Sequence, residues 1–265
     1  MGEAPITTLV RYQVDPSGVA TVTLDDPATR NALGDALLDQ LLDRLEQARA
    51  DDAVRVVILA SADDRVFSSG GNLKAFTDDS PLIEKYTALD RFPRLFRLLG
   101  GLGKPIICAA NGDMLAGAFG LALACDLIIA RDGVRFGCPE INVGVFPFMI
   151  SALIYRSVPR AKANELMMTG RLISAAEAAG LHIVNAVVPA EGFGAEVDRW
   201  AGLVASRSPL LMRMGKNALD ATRDLPLGAA LDHLRGQLAL ACGTEDIREG
   251  VAAFREKREP RWSGR

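Results

Sequence analysis

Two glycine-rich turns and one isolated carboxylate are the places in this sequence where chemistry could be done. The turns are Phe67-Ser68-Ser69-Gly70-Gly71-Asn72-Leu73 and Asn111-Gly112-Asp113-Met114-Leu115-Ala116-Gly117-Ala118-Phe119-Gly120. Each follows a β-rich run and leads into a helix-forming stretch, where free main-chain amides point outward and can stabilise negative charge. Neither is followed by Gly-Lys-Ser/Thr and neither supplies Gly-x-Gly-x-x-Gly, which argues against a nucleotide-phosphate cradle. Taken singly, each also reads as an ordinary strand-to-helix connection. The carboxylate is Glu140, in Phe136-Gly137-Cys138-Pro139-Glu140-Ile141-Asn142-Val143-Gly144, with Val145-Phe146-Pro147-Phe148-Met149-Ile150 directly behind it. Desolvation among such neighbours raises a carboxyl's proton affinity and suits it to moving protons; the plainer reading is a capping or ion-paired acid at a turn.

Other reactive residue types form no constellation. His182 and His233 have no serine or cysteine nucleophile motif around them, so triad chemistry has no support. The four cysteines, Cys108, Cys125, Cys138 and Cys242, form no C-x-x-C pair and have no histidines nearby, unlike a zinc site or a secreted disulfide framework. They are expected to be buried thiols in a reducing compartment, and no metal is expected.

The elements that must hold these groups follow from composition and periodicity. With 265 residues, 49% of them apolar, the chain is globular, with one large or two small domains. A net charge of −3 argues against a nucleic-acid surface, which needs a basic field. The longest apolar run, Met114 to Cys125, is 12 residues, far short of the roughly 20 that span a bilayer, and reads as a buried helix. The opening Met-Gly-Glu-Ala-Pro has no basic or apolar leader pattern, so the expected location is the cytoplasm.

Thr7 to Val14 and Val19 to Leu24 flank Asp15-Pro16-Ser17-Gly18 and predict an opening hairpin. Leu37, Leu38, Leu41, Leu42, Leu45 and Ala48 mark one apolar stripe of a helix from Asp35 to about Ala50. Val54 to Ala60, Ile106 to Ala110 and Asp126 to Ala130 read as strands, and Leu115 to Cys125 as a helix between the last two. This alternation indicates α/β architecture with strands buried on both faces. Beyond Pro147 the pattern turns helical, near 147–157, 160–168, 175–181, 193–205, 209–221, 227–241 and 245–257, with one strand, Val184 to Val188. Ser174-Ala175-Ala176-Glu177 has the capping-box pattern. The last eleven residues carry five basic and two acidic side chains.

Taken together in order, these motifs resemble the crotonase, or enoyl-CoA hydratase and isomerase, superfamily. The likeness runs over nearly the whole chain: Asp26-Pro27-Ala28-Thr29-Arg30-Asn31-Ala32-Leu33, the strand Val54 to Leu59, both glycine turns, Pro139-Glu140, Leu172-Ile173-Ser174-Ala175 with Val184-Asn185, and the ending Phe254 to Gly264. It implies a spiral of β-β-α units over residues 1–195, carrying the CoA and catalytic site, and a helical trimerisation region over 196–265, assembled as a homotrimer or dimer of trimers. It implies an acyl-CoA thioester substrate, with coenzyme A as part of the substrate and no permanently bound cofactor. By position, Gly71 and Gly117 match the two amides of the family's oxyanion hole, and Glu140 matches one of its two catalytic glutamates. Ser69 and Leu73 match positions whose backbone meets CoA, Arg30 lies in the loop that approaches the phosphates, and Lys257 and Arg258 belong to an ending that can reach a neighbouring subunit's CoA.

Departures from the family pattern shape the expected reaction. Gly120 occupies the position of the second glutamate, and Phe148 stands where hydratases carry a glycine beside the reacting water. Both changes remove polar partners a bound water needs. A lone acid-base glutamate suits double-bond isomerisation over hydration, with Pro147 to Ile150, Phe119, Tyr86, Leu89 and Phe92 as apolar wall. A non-catalytic acyl-CoA binding protein, decarboxylation, thioester hydrolysis and ring closure stay open as alternatives. Asn72 stands where many members carry aspartate, and His182 replaces a glycine at a helix end that needs left-handed dihedrals.

Overall fold

Strands rich in Val, Ile and Ala with almost no charge can be buried on both faces, and they form the centre of this molecule. The computed structural model describes residues 7–72 and 77–265. Among these, six strands form one sheet in the order β1-β2-β3-β5-β7-β10: β1 (Val10–Val14), β2 (Val19–Leu24), β3 (Val56–Ser61), β5 (Ile106–Ala110), β7 (Leu127–Arg131) and β10 (Ala186–Val188). Only the β1–β2 hairpin is antiparallel; the other pairs are parallel. A second sheet, β4-β6-β8-β9, consists of three-residue strands: β4 (Val66–Ser68), β6 (Asp113–Leu115), β8 (Arg135–Gly137) and β9 (Leu172–Ser174). The chain therefore climbs as a spiral, in which β3, β5 and β7 are each followed by one short strand of the second sheet and then by helix.

Helix α1 (Asp35–Ala50) buries the leucine stripe read from its sequence, Leu37, Leu38, Leu41, Leu42, Leu45 and Ala48. These side chains join Val57, Leu59, Phe67, Cys108 and Phe136 in one core. The opposite face of the six-stranded sheet, through Val56, Ile58, Ile107 and Ile129, packs on Val197, Ala201 and Ala205 of a later helix. Between the strands run α2 (Leu82–Leu89), α3 (Arg91–Gly100), α4 (Gly117–Ala124), α5 (Phe148–Ser157), α6 (Arg160–Thr169) and α7 (Ala175–Gly180). Helices α8 (Phe193–Ala205), α9 (Pro209–Thr222), α10 (Leu227–Cys242) and α11 (Glu245–Glu256) complete the chain.

Several local expectations need correction. The helix expected from Leu115 begins at Gly117, because Leu115 belongs to β6 and Ala116 breaks the path with φ +52° and ψ −122°. Strands β4, β6, β8 and β9 replace what reads as turn or helix start. At Ser174 only half of the capping box forms: its hydroxyl accepts the Glu177 N–H at 3.1 Å, while the Glu177 carboxylate turns to the Arg171 guanidinium. His182 does adopt φ +59°. Cys242 is exposed and Cys125 half-buried, so only Cys108 and Cys138 are buried thiols. Among the described residues no group of His, Cys, Asp and Glu could hold a metal ion, and no helix is long and apolar enough to cross a membrane.

The C-terminal helices are fastened by buried polar groups. Lys216 of α9 donates to Asp126 Oδ2 at 2.6 Å, and the same oxygen accepts the Ile106 N–H of β5 at 2.7 Å. Asp246, with no exposed surface, accepts hydrogen bonds from the Ser208 hydroxyl and the Ser263 and Gly264 amides. Ser208 in turn caps α9 through the Leu211 amide. Asp246→Ala strands all three donors and is expected to cost about 2 kcal/mol, read as a fall of several degrees in the melting temperature.

Candidate active site

The first glycine turn leaves β4 and is bolted to the loop before α1. Asn31, buried and at φ +54°, donates through its side-chain amide to the Phe67 carbonyl and the Ser61 hydroxyl, both at 2.9 Å, and accepts the Asp26 N–H at 2.6 Å. The Ser68 hydroxyl returns a hydrogen bond to the Asn31 carbonyl at 2.6 Å. The Leu33 amide then bonds the Gly70 carbonyl at 2.7 Å, so that Leu33 and Gly71 form a parallel bridge. Gly70 sits at φ +87°, the left-handed region that glycine adopts freely.

The second turn leaves β6. Ala116 bonds through its N–H to the Gly137 carbonyl at 2.9 Å, and its unusual dihedrals swing the chain into α4. The two turns meet where a side chain is missing. A Cβ on Gly70 would lie 2.5 Å from the Ala116 methyl and 3.3 Å from the Gly117 nitrogen; a Cβ on Gly117 would lie 3.8 Å from the Gly71 nitrogen. This contact brings the Gly71 and Gly117 amides to the same wall of one cavity. Among the described residues neither amide has a backbone or side-chain acceptor, and Gly117 opens a helix, where the dipole adds positive potential. Two such donors side by side can stabilise an oxygen that gains negative charge.

Glu140 stands in the same cavity, on a 3-10 turn (Pro139–Val143) that follows β8 and closes at Gly144, φ +84°. Its Oε2 is buried and accepts no hydrogen bond from the described residues. Burial pushes the carboxyl up from the ordinary glutamate range to about 7, only partly offset by a hydrogen bond from its own amide. The neighbouring Cys138 thiol is pushed far up by burial and by the Glu140 charge, which makes it inert. The cavity, about 350 Å³, is otherwise walled by Leu89, Phe92 and the run Val145 to Ile150. Phe146 and Phe148 stack at a tilt, with centroids 5.1 Å apart.

The structure thus gathers Gly71, Gly117, Glu140, Ser69 and Phe148 around one cavity. Leu73 lies outside the described residues. Gly120 does not line the cavity: it is buried in α4 beneath Ile150 and Phe96. Arg30 does not line it either; its visible contribution is a carbonyl that accepts the Ser69 amide at 3.0 Å. Phe119 leaves the expected wall, because on a helix it points about 200° away from Gly117, and it packs on Phe136 at 5.9 Å in the core. Tyr86 is exposed and off the lining, while Leu89 and Phe92 contribute as expected. Arg258 is held by Glu249 and Glu256 of its own chain. Sequence reasoning missed Gly70 and Ala116 as the contact that sets both amides, and Asn31 as the bolt behind it.

A spiral of two-strand units with two free amides and a lone buried carboxylate at one cavity is the arrangement of an enzyme site, and comparison with known proteins gives the family. The family profile described as enoyl-CoA hydratase/isomerase matches residues 15–265. A 2,3-dehydroadipyl-CoA hydratase of Escherichia coli K12 is 34% identical over 248 residues, covering 93% of this chain and 96% of the relative. A putative enoyl-CoA hydratase of Thermus thermophilus is 35% identical, covering 94% and 99%. The crystal structure of an enoyl-CoA hydratase from Mycobacterium smegmatis superposes with a TM-score of 0.93 at 29% identity, over 97% of this chain and 99% of that one. This chain belongs to the enoyl-CoA hydratase/isomerase family, the crotonase superfamily, and is an enzyme of that family with the crotonase fold.

Two substitutions test the contact between the turns. Gly70→Ala meets the Ala116 methyl and a positive φ, and is expected to lower stability by more than about 1 kcal/mol. Ala116→Gly relieves a strained backbone and is expected to raise stability by up to about 1 kcal/mol in denaturant melts.

Proposed function

We propose that this enzyme moves a proton on an acyl-CoA thioester, with double-bond isomerisation favoured over hydration. The observation that carries the reading is a single carboxylate poised near neutrality, lining the same largely apolar cavity as two free amides. With a 3-enoyl thioester, the Glu140 carboxylate takes a proton from C2. The C2–H electron pair moves into the C1–C2 bond and the carbonyl pair onto the thioester oxygen, giving a dienolate conjugated with the C3–C4 double bond, whose oxygen the Gly71 and Gly117 amides stabilise. Return of the pair draws the proton from Glu140 to C4, giving the 2-enoyl thioester and the original carboxylate. The relatives' names favour hydration; the apolar lining around a lone acid favours proton transfer, because a reacting water needs several polar partners.

In the same reading, coenzyme A is part of the substrate, approached by Ser69 and the Arg30 loop, with Leu73 assigned to the same role by sequence position alone, and no cofactor is held permanently. Assembly as a homotrimer or dimer of trimers fits α10, which buries none of its residues in the single chain and leaves Leu227, Leu231 and Leu238 more than half exposed, with Phe254 of α11 85% exposed. Light scattering is expected to give three or six times the 28.3 kDa chain mass; a monomer overturns this assembly.

The reaction is tested by supplying 3-enoyl-CoA and 2-enoyl-CoA separately and following absorbance and water incorporation. Isomerisation is expected to exceed hydration, to fall by at least about 10²-fold in Glu140→Gln, and to rise with pH through about 7 as Glu140 ionises. Rapid hydration lost in Glu140→Gln overturns the preference; α-proton exchange no faster than background makes the chain a binder. The raised pKa also has a stability consequence. Protonated Glu140 is the form burial favours, so its contribution is full below the ordinary glutamate range and is lost as pH rises through about 7. Glu140→Gln is therefore expected to raise the melting temperature more at pH 8 than at pH 5.

A further inference from the structure

The cavity that holds Glu140 is lined at the crossing of α4 and α5 by Ile150. Ile150, on the first turn of α5, lines the cavity and is 3% exposed. Its side chain lies directly over Gly120: a Cβ built there would sit 2.3 Å from Ile150 Cγ2, 3.1 Å from Ile150 Cβ and 3.1 Å from Phe96 Cζ. None of these atoms is the free end of a flexible chain, since Ile150 Cβ and Cγ2 are fixed at a β-branched centre and Phe96 is set by its helix. No residue larger than glycine fits at 120 while Ile150 is present, and any side chain from 120 toward the cavity would have to occupy the volume Ile150 fills. Among the described lining residues Glu140 is the only ionisable one, and Ser69 the only other with a polar side chain.

We propose that Ile150, seated on Gly120, is the residue that sets reaction specificity by keeping the cavity it shares with Glu140 dry. This inference rests on Glu140 acting as the proton carrier. Hydration and isomerisation share that carrier and differ in one participant. In hydration a water oxygen bonds to C3 as the C2–C3 π pair moves toward the carbonyl, one water proton passes to Glu140, and Glu140 delivers a proton to C2, which returns it to the carboxylate. In isomerisation the proton that leaves C2 returns at C4 and no water enters. A water that could attack C3 must be held beside the carboxylate by other polar groups, and Ile150 offers it only methyl and methylene carbons. Its role is therefore selective: it leaves the proton path open and removes the water's partners.

The experiment compares product ratios, 3-hydroxyacyl-CoA against isomerised enoyl-CoA, with label from H₂¹⁸O marking water addition. Ile150→Val keeps both γ carbons over Gly120 and is expected to leave the ratio near that of the wild type. Ile150→Thr keeps a branched side chain with a hydroxyl in place of a γ methyl and is expected to raise the hydration share by about tenfold, the worth of one hydrogen bond; Ile150→Ala opens room for additional water and is expected to raise it by a smaller factor. Gly120→Glu alone is expected to lower the melting temperature through the clash, whereas Gly120→Glu with Ile150→Ala recovers it and raises hydration further. An unchanged ratio in folded Ile150→Thr and Ile150→Ala, with isomerisation still lost in Glu140→Gln, overturns the role of Ile150 and leaves the function standing. A wild-type chain that interconverts neither substrate overturns both.

Discussion

The site depends on a methyl group resting where another residue has none. Ala116 and Gly70 belong to turns more than forty residues apart, and their contact is possible only because Gly70 lacks a side chain. It brings the backbone next to Gly71 and Gly117 together, with positive φ angles on both sides, one free for glycine and one costly for alanine. Asn31 holds the first turn from behind through the Phe67 carbonyl of β4, and the Gly137 carbonyl of β8 holds the second, so both turns are anchored to the four-stranded sheet.

The second physical element is desolvation. Glu140 lines a cavity walled almost wholly by apolar side chains, and this burial holds its carboxyl near neutrality; under the proposed function the same surroundings restrict what can react beside it. Proton affinity and water exclusion are therefore one property of this cavity. They come from the run Val145 to Ile150, whose first half forms the approach to α5 and whose second half is that helix's opening turn.

Much of this was legible in the sequence, for reasons particular elements make plain. The leucine stripe of α1 and the all-apolar β5 declare their burial because each is long enough to show a period or its absence. The strands β4, β6, β8 and β9 are three residues long, and what makes them strands is pairing across the spiral rather than any local pattern. The two glycine turns and Glu140 stood out by residue type. Gly120 was legible as an absent carboxylate but not as a packing site, because Ile150 lies thirty residues further along and the contact exists only in the folded crossing of α4 and α5. Nothing about alanine as a residue type announces the dihedrals of Ala116.

Asp246 has a topological effect as well as an energetic one. By receiving the Ser208 hydroxyl at the head of α9 and the amides of Ser263 and Gly264 behind α11, it closes the last sixty residues into a clasped loop. Helix α10 lies inside that loop. A single backbone nick in the 223–226 connection would leave each fragment still buckled to the other through the clasp, so cleavage there separates the chain covalently without separating its helices.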